Sequence, residues 1–474
     1  MNKFVKTIKL LSILTISMLF VACSNGDSVS DNDMQSIKVA KLKSKLDSNV
    51  QIIDTRQSHQ YIGWDTDDSP GGHIKGAIDF PVTWLDIEED PVKLNTELKR
   101  REIDKSKKTI IYSDSNIDKA TYDKFSELGF TNLYSLDGGF SSYSNENLPI
   151  EKMKNYEVLV HPEWVYDLVN NKNPESFKGG DFKVIEIDFG KSKGDYEKGH
   201  IPSAITIDDS LNHVEGERIF PNYDKMSDEE KFSYWNKPKD DVIKKKLEDM
   251  GITKDTTVVV YGANTTAAAR LGTVLKYAGV EDVRLLNGGK NLVKSMNMPL
   301  DTGVVEYSPV DDFKASVPQN PDVLIDYDDE LKYVNDTKNS VVASVRSFIE
   351  YKGIKSGYTY INDAGEIKNA RFAYAGSDPY NMEDYRNIDD TMFNYNLVKA
   401  RWDKWGITPD KKISFHCGTG WRASETYFYS LAMGYDDTCV YDGGWYEWHL
   451  RDGSPKKEQG LPKDAPETEP NSFF

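Results

Sequence analysis

The chain has 474 residues, too many for one ordinary domain, and its 38% hydrophobic content is that of a folded protein. Its 77 acidic against 59 basic residues give a formal charge of −18, which excludes a nucleic-acid partner held through its phosphates. Past the N-terminus no apolar run is long enough to span a bilayer.

The first segment, "MNKFVKTIKLLSILTISMLFVAC", has three lysines, an apolar run from Leu10 to Ala22, and then Cys23. It resembles a bacterial lipoprotein signal, which implies a signal peptide over 1–22 and a lipidated Cys23. Phe20 and Val21 depart from the commonest form of that signal, so a plain secretory signal stays open. Residues 23–35 are polar, as a tether should be. The chain is therefore expected to be exported and anchored at a bacterial membrane, on its extracytoplasmic or periplasmic face. With Cys23 modified, only Cys417 and Cys439 remain as thiols. "DDTCVYDGG" reads as a buried strand that makes Cys439 a small core hydrophobe, with a regulatory disulfide to Cys417 as the alternative.

Next comes a unit written three times: a short strand, a turn motif, a second strand running into a loop and helix, then a strand ending in a glycine pair. The first copy reads "VQIIDTRQSHQYIG", "GGHIKGAIDFP", "KTIIYSDSNIDKA" and "NLYSLDGGF". The second reads "FKVIEIDFG", "KGHIPSAITID", "TTVVVYGANTTAAAR" and "DVRLLNGGK". The third reads "SVVASVRSFIEYKG", "AGEIKNARFAYAG", "KKISFHCGTGWRAS" and "TCVYDGGWYEW". From the loop's first residue to the residue before the glycine pair is 24 positions in the first copy, Ser113 to Asp137. It is 25 in the others, Gly262 to Asn287 and Cys417 to Asp442. Short apolar strands alternating with helices predict an α/β fold with parallel sheets covered by helices on both faces. Each loop then opens at the carboxyl end of its sheet, where such folds bind ligands.

These ordered motifs resemble the rhodanese-like sulfurtransferase family. The resemblance implies three tandem domains, at 36–151, 155–302 and 320–456, followed by a polar tail at 457–474. Copies two and three together resemble a two-domain thiosulfate or mercaptopyruvate sulfurtransferase, in which only the second domain keeps its cysteine. Gly262 stands at the nucleophile position of copy two and Ser113 at that of copy one, where Asp114 and Asp118 would also repel an anion. Both loops are expected to be silent, with copy two closing one side of the third domain's pocket.

In copy three, the loop Cys417, Gly418, Thr419, Gly420, Trp421, Arg422 leads into a helix. Backbone amides from Gly418 to Ala423 lack carbonyl partners in such a turn and form a nest for negative charge, backed by the helix dipole. Gly418 and Gly420 are expected to supply positive φ angles. The nest favours a thiolate and suits a persulfide or sulfur oxyanion. Arg422 adds a full charge, and Trp421 either walls the site or packs in the core. The arginine falls five positions after the cysteine, one fewer than in phosphatase loops on related folds, which disfavours phosphate.

The resemblance implies double displacement: Cys417 takes sulfur from thiosulfate or mercaptopyruvate as a persulfide, then passes it to cyanide or a thiol. The rival reading is a non-enzymatic sulfur carrier or adaptor. Arg346 occupies the family's D-x-R arginine, but Ser344 replaces the aspartate, so Arg346 is read either as freed for an anion or as structural. Glu366 stands where the family has histidine. The insertion "FAYAGSDPYNMEDYRNIDDTMFNY" is expected over the pocket, with Arg386 as a substrate arginine or an ion-pair partner. Trp445, Glu447 and Trp448 are read as packing around the loop. His73 and His200 lie in turn motifs, and no H-x-x-H, C-x-x-C or phosphate loop occurs, so no metal or cofactor is expected.

Overall fold

Successive side chains of a strand point to opposite faces of its sheet, so a strand buried at every position lies in a sheet covered on both sides. Thr109–Tyr112, Thr257–Tyr261 and Ser340–Ser344 are buried throughout. The computed structural model, which describes residues 34–43, 50–88, 90–187, 192–207 and 225–468, builds three five-stranded sheets from these and their neighbours. Cys23, its tether and the signal segment lie outside the described residues.

The first sheet runs Ser36–Ile37, Leu133–Leu136, Thr109–Tyr112, Gln51–Asp54, Ile78–Asp79, with every pair parallel. The second runs Leu159–Val160, Asp282–Leu286, Thr257–Tyr261, Phe182–Glu186, Ile205–Thr206. The third runs Leu324–Ile325, Thr438–Tyr441, Lys412–His416, Ser340–Ser344, Arg371–Phe372. In chain order each sheet is first, fifth, fourth, second, third, so the repeated sequence is a repeated fold. The fourth strand of each is central and delivers the loop that begins at Ser113, Gly262 or Cys417.

The turn motifs have one structural job. Tyr61 stacks on His73 at 3.8 Å between ring centroids, and Tyr196 on His200 at 4.1 Å. Each histidine's Nδ1 sits 2.8 or 2.9 Å from its tyrosine's carbonyl oxygen. Tyr61, Tyr196 and Tyr351 each donate a hydroxyl to an alanine carbonyl, Ala77, Ala204 or Ala370.

The insertion of the third repeat packs against the first. Trp84 Nε1 donates to Asp389 Oδ2 at 2.8 Å, Asn394 Nδ2 to Asp79 Oδ1 at 2.7 Å, and Thr391 Oγ1 to Ser58 Oγ at 3.2 Å. Buried Arg101 donates to Asn387, and its guanidinium lies over Trp84 and Phe393. The second repeat holds the same segment through Asn287 Oδ1, which accepts from the Met392 amide at 2.7 Å. A stretch whose own regular structure between its flanking strand and helix is the short 3-10 turn Glu383–Tyr385 is thus pinned by buried polar contacts to both neighbours.

Two further findings concern the segments after the third repeat and after the first. Residues after Lys456 pack back on the third repeat: Asp464 pairs with Arg371 at 2.7 Å, and Trp405 Nε1 donates to Glu467 Oε1 at 2.9 Å. The linker after the first repeat is docked, because Asn155 N and Nδ2 donate to Ala432 O and Leu431 O at 2.9 and 2.8 Å. Those carbonyls lie in the last turn of helix Trp421–Met433, and Leu431 O also accepts from the Gly434 amide at 2.9 Å.

Candidate active site

The strand Lys412–His416 ends one residue before Cys417, and helix Trp421–Met433 starts four residues after it. What keeps this loop curled is the glycine pair of the next strand. The amides of Trp445 and Tyr446 donate to the carbonyls of Cys417 and Gly418 at 2.8 and 2.9 Å, committing those oxygens. Gly444 has φ +54, and a Cβ there would lie 2.7 Å from the Cys417 oxygen. The same geometry recurs at Gly139, with φ +57 and Ser113 O at 2.6 Å, and at Gly289, with φ +55 and Gly262 O at 2.5 Å. The second glycine of each pair therefore exists so that the loop backbone can lie directly on it.

What differs among the three loops is who satisfies the helix N-terminus. In the first, Asp118 Oδ1 accepts from the Thr121 amide at 2.7 Å; in the second, Asn264 Oδ1 accepts from Thr266 at 3.0 Å. In the third the N-cap is Gly420, with φ +78 and no side-chain cap. The amides of Gly418, Thr419, Gly420, Arg422 and Ala423 have no acceptor within the described residues. Two loops are capped by their own side chains, and the cysteine loop leaves its helix N-terminus without one. The positive φ falls at Gly420 alone. Gly418 is required instead by close approach, since a Cβ there would meet the Tyr358 ring at 2.1 Å.

Cys417 is fully buried. Its cover is aromatic and polar: a thiolate there lies within electrostatic range of Tyr358, Tyr360 and Arg422. Tyr360 stacks on Trp235 of the second repeat at 4.8 Å and meets Tyr446 edge-on at 5.7 Å. Tyr358 meets Tyr380 of the insertion at 5.6 Å and donates its hydroxyl to Pro379 O at 3.3 Å. Burial pushes the Tyr358 hydroxyl well above its ordinary value against the pull of Arg422, so it stays protonated. Trp421 Nε1 donates to Trp235 O at 3.3 Å and its ring packs on Ala267, so this side chain walls the site against the second repeat. Tyr358→Ala is expected to raise the rate of Cys417 alkylation by a small iodoacetamide at least about tenfold in the native state, because its ring covers the loop. Unchanged labelling would show that access runs another way.

The three arginines all sit in carboxylate pairs. Arg422 makes a bidentate pair with Glu350 at 3.1 and 3.0 Å, so its charge is shared rather than free for a ligand. Of the two readings of Arg346, freed for an anion or structural, the contacts favour the second: the missing aspartate is replaced by other carboxylates, with Nη1 3.4 Å from Glu366 and Nε 3.3 Å from Glu350, all three side chains buried. In the first repeat Asp54 holds Arg56 at 2.7 Å from the strand. In the third the carboxylate has moved to the turn, where Ser344 Oγ donates to Glu366 Oε2 at 2.6 Å. The two departures, Ser344 and Glu366, compensate each other. Burial raises the Glu366 pKa, but His416 and Arg346 outweigh it and hold the carboxyl at about 2. Arg386 is paired with Glu425 at 2.6 Å and donates to Thr266 Oγ1 at 3.0 Å, joining the insertion to both facing helices.

Cys439 is a free, buried thiol, driven up to about 12 by burial. It pairs in register with Ser414, three residues before Cys417, so the two cysteines stand about 10 Å apart along the sheet, too far for a disulfide. Trp445 and Trp448 are fully buried, and Trp445 Nε1 donates to Asp363 O at 2.8 Å. Sequence reasoning missed Glu350, Tyr358 and Trp235. Glu350 hid inside an S-x-x-E capping box, which its bond to Ser347 does form, while the two aromatics come from irregular segments with no motif.

A family model described as Rhodanese-like domain matches residues 38–146, 161–295 and 310–451. Thiosulfate sulfurtransferase YnjE of Escherichia coli is 37% identical over 404 residues, covering 84% of this chain and 87% of that protein. Sulfur carrier protein TtuD of Thermus thermophilus is 30% identical over 304 residues, 63% of this chain and 96% of its own length. Among solved structures, the anaerobic ergothioneine biosynthesis enzyme from Chlorobium limicola with trimethyl histidine is similar at a TM-score of 0.81 and 34% identity, covering 90% of this chain and all of that one. A tyrosine-to-alanine variant of EanB, with ergothioneine covalently linked to a persulfide cysteine, gives the same TM-score and identity over 91% of this chain. In that variant the replaced tyrosine precedes the cysteine by 59 residues, the separation of Tyr358 from Cys417 here.

Proposed function

The chain belongs to the rhodanese-like family, and on that premise we propose that it is a sulfurtransferase in which Cys417 alone carries sulfur. The observation that carries this reading is the uncapped helix N-terminus that follows Cys417, set against the two loops that cap themselves. The thiolate attacks the outer sulfur of thiosulfate; the S–S bond breaks and sulfite leaves with the electron pair. With 3-mercaptopyruvate the thiolate attacks its sulfur and the C–S bond breaks instead; the carbon leaves with the electron pair as the enolate of pyruvate and takes up a proton. The persulfide anion rests on the amides, which stabilise it without a mobile counter-charge. An acceptor, cyanide or a thiol, then attacks the outer sulfur and restores the thiolate. Because Arg422 and Arg346 are paired with Glu350 and Glu366, the amides and helix dipole do most of the anion binding. Lipidation at Cys23 would hold this chemistry at the outer side of a membrane.

The aromatic cover favours a second acceptor class. Trp235, Tyr358, Tyr360, Tyr380 and Tyr446 surround the approach to a sulfur that would meet the acceptor, an arrangement suited to a flat ring or a quaternary ammonium group. Trimethyl histidine, the substrate of the Chlorobium enzyme, has both. Its imidazole carbon would lose a proton and gain the sulfur as the thiolate returns. Mass spectrometry of the Cys417 peptide after thiosulfate or mercaptopyruvate should show the gain of one sulfur atom. Offering the loaded protein cyanide, a thiol or trimethyl histidine then identifies the acceptor by which one unloads it. A protein that never loads sinks the proposal, and one that loads but unloads to no small molecule is a carrier instead.

A further inference from the structure

Two histidines 102 positions apart meet where the first and second repeats touch. His59 lies on helix Ser58–Ile62, His161 immediately precedes helix Pro162–Val169, and Glu163 is in that helix's first turn. The imidazoles stack with centroids 4.1 Å apart and 13° between planes, and Glu163 Oε2 lies 2.9 Å from His161 Nδ1. One nitrogen from each ring and one carboxylate oxygen lie within 4.8 Å of one another, the one such group of three among the described residues. The three line a crevice with room of about 10 Å³, enough for one water-sized occupant or metal ion and too small for an organic ligand.

We propose that His59, His161 and Glu163 bind one divalent transition-metal cation, Zn²⁺ being the type case, as a brace between the first two repeats. Two imidazole nitrogens and a carboxylate with an open fourth position suit zinc, whereas Mg²⁺ and Ca²⁺ demand six or more oxygens. Bonds of about 2.0–2.2 Å set tetrahedral ligand atoms about 3.4 Å apart, so the rings must tilt out of their stack and close by at most about 1.4 Å. The cation would tie two segments otherwise joined through a long chain loop, which restricts their separation. Asp389 and Thr391 of the insertion line the same crevice, so the brace adjoins the segment that reaches the cysteine loop.

The test uses the full chain as Cys417→Ser, so that no active-site thiolate competes for metal. Stripped protein titrated with Zn²⁺ against a chromophoric chelator near neutral pH should take one equivalent with a dissociation constant in the micromolar range or tighter. Its melting temperature should rise with Zn²⁺ and not with Mg²⁺. His59→Gln and His161→Gln, shown to be folded by unchanged circular dichroism, should each weaken binding at least tenfold and abolish the thermal shift. Failure to bind one equivalent, or retention of the parent's affinity in the two folded histidine variants, overturns the proposal.

Discussion

Gly444→Ala should abolish most sulfur transfer while leaving a folded protein. Two costs fall together at this position. A left-handed φ of +54 costs a residue with a Cβ about 1–2 kcal/mol, and the new methyl would sit 2.7 Å from Cys417 O, Gly418 C and Gly418 O. Those atoms are backbone held at both ends by strand and helix, so relief must come from moving the loop. Displacing a reacting group by about 1 Å costs about a hundredfold in rate. The expected result is a loss of at least that size in the rate of persulfide formation, with about 2–4 kcal/mol of stability lost. Gly139→Ala supplies the comparison, since its Cβ would strike the Ser113 and Ser115 carbonyls of a loop without a cysteine. It should cost similar stability and leave the turnover of folded protein unchanged. Wild-type turnover in Gly444→Ala would show that the loop's shape does not govern the reaction.

Glu350→Gln should be among the most destabilising single changes in the chain. Its carboxylate accepts from Arg422, Arg346, the Ser347 amide and the Ser347 hydroxyl, with no exposed side-chain surface. The amide keeps the shape and removes the charge, leaving two buried guanidiniums short of a partner, and breaking a buried pair from one side costs about 3–5 kcal/mol. Burial acts to raise the Glu350 pKa, but Arg422 and Arg346 overcome it and hold it below the usual carboxylate range. Glu366, held at about 2, behaves alike. A depressed carboxyl contributes stability above its unfolded pKa of about 4.3 and loses it as pH falls through the folded value. Denaturant unfolding of the native chain should therefore weaken steadily from about pH 4.3 towards about 2. In Glu350→Gln that slope should be shallower, beginning from a lower plateau. Equal stability at neutral pH would mean that the two arginines find other partners.

The sequence by itself determined everything that repeats. Three sets of apolar strands, turn motifs and glycine pairs at near-constant spacing sufficed for three parallel sheets with one topology, because burial on both faces and the approach of loop to glycine are local requirements written into each copy. Cys417 and its amides were legible for the same reason, as a strand, a glycine-bearing turn and a helix are consecutive in the chain. The partners of the charges were not. Glu366 compensates for Ser344 across 22 positions, and Glu350 claims both Arg346 and Arg422 from a helix whose visible motif is a cap. Nor was it legible that the first repeat clamps the insertion of the third, or that Trp235 from the second stacks over the site. Such contacts depend on which surfaces face each other once the sheets have formed, and no periodicity or spacing along a chain encodes that. Tertiary packing alone decided that the cysteine is roofed by tyrosines and that its arginines are neutralised.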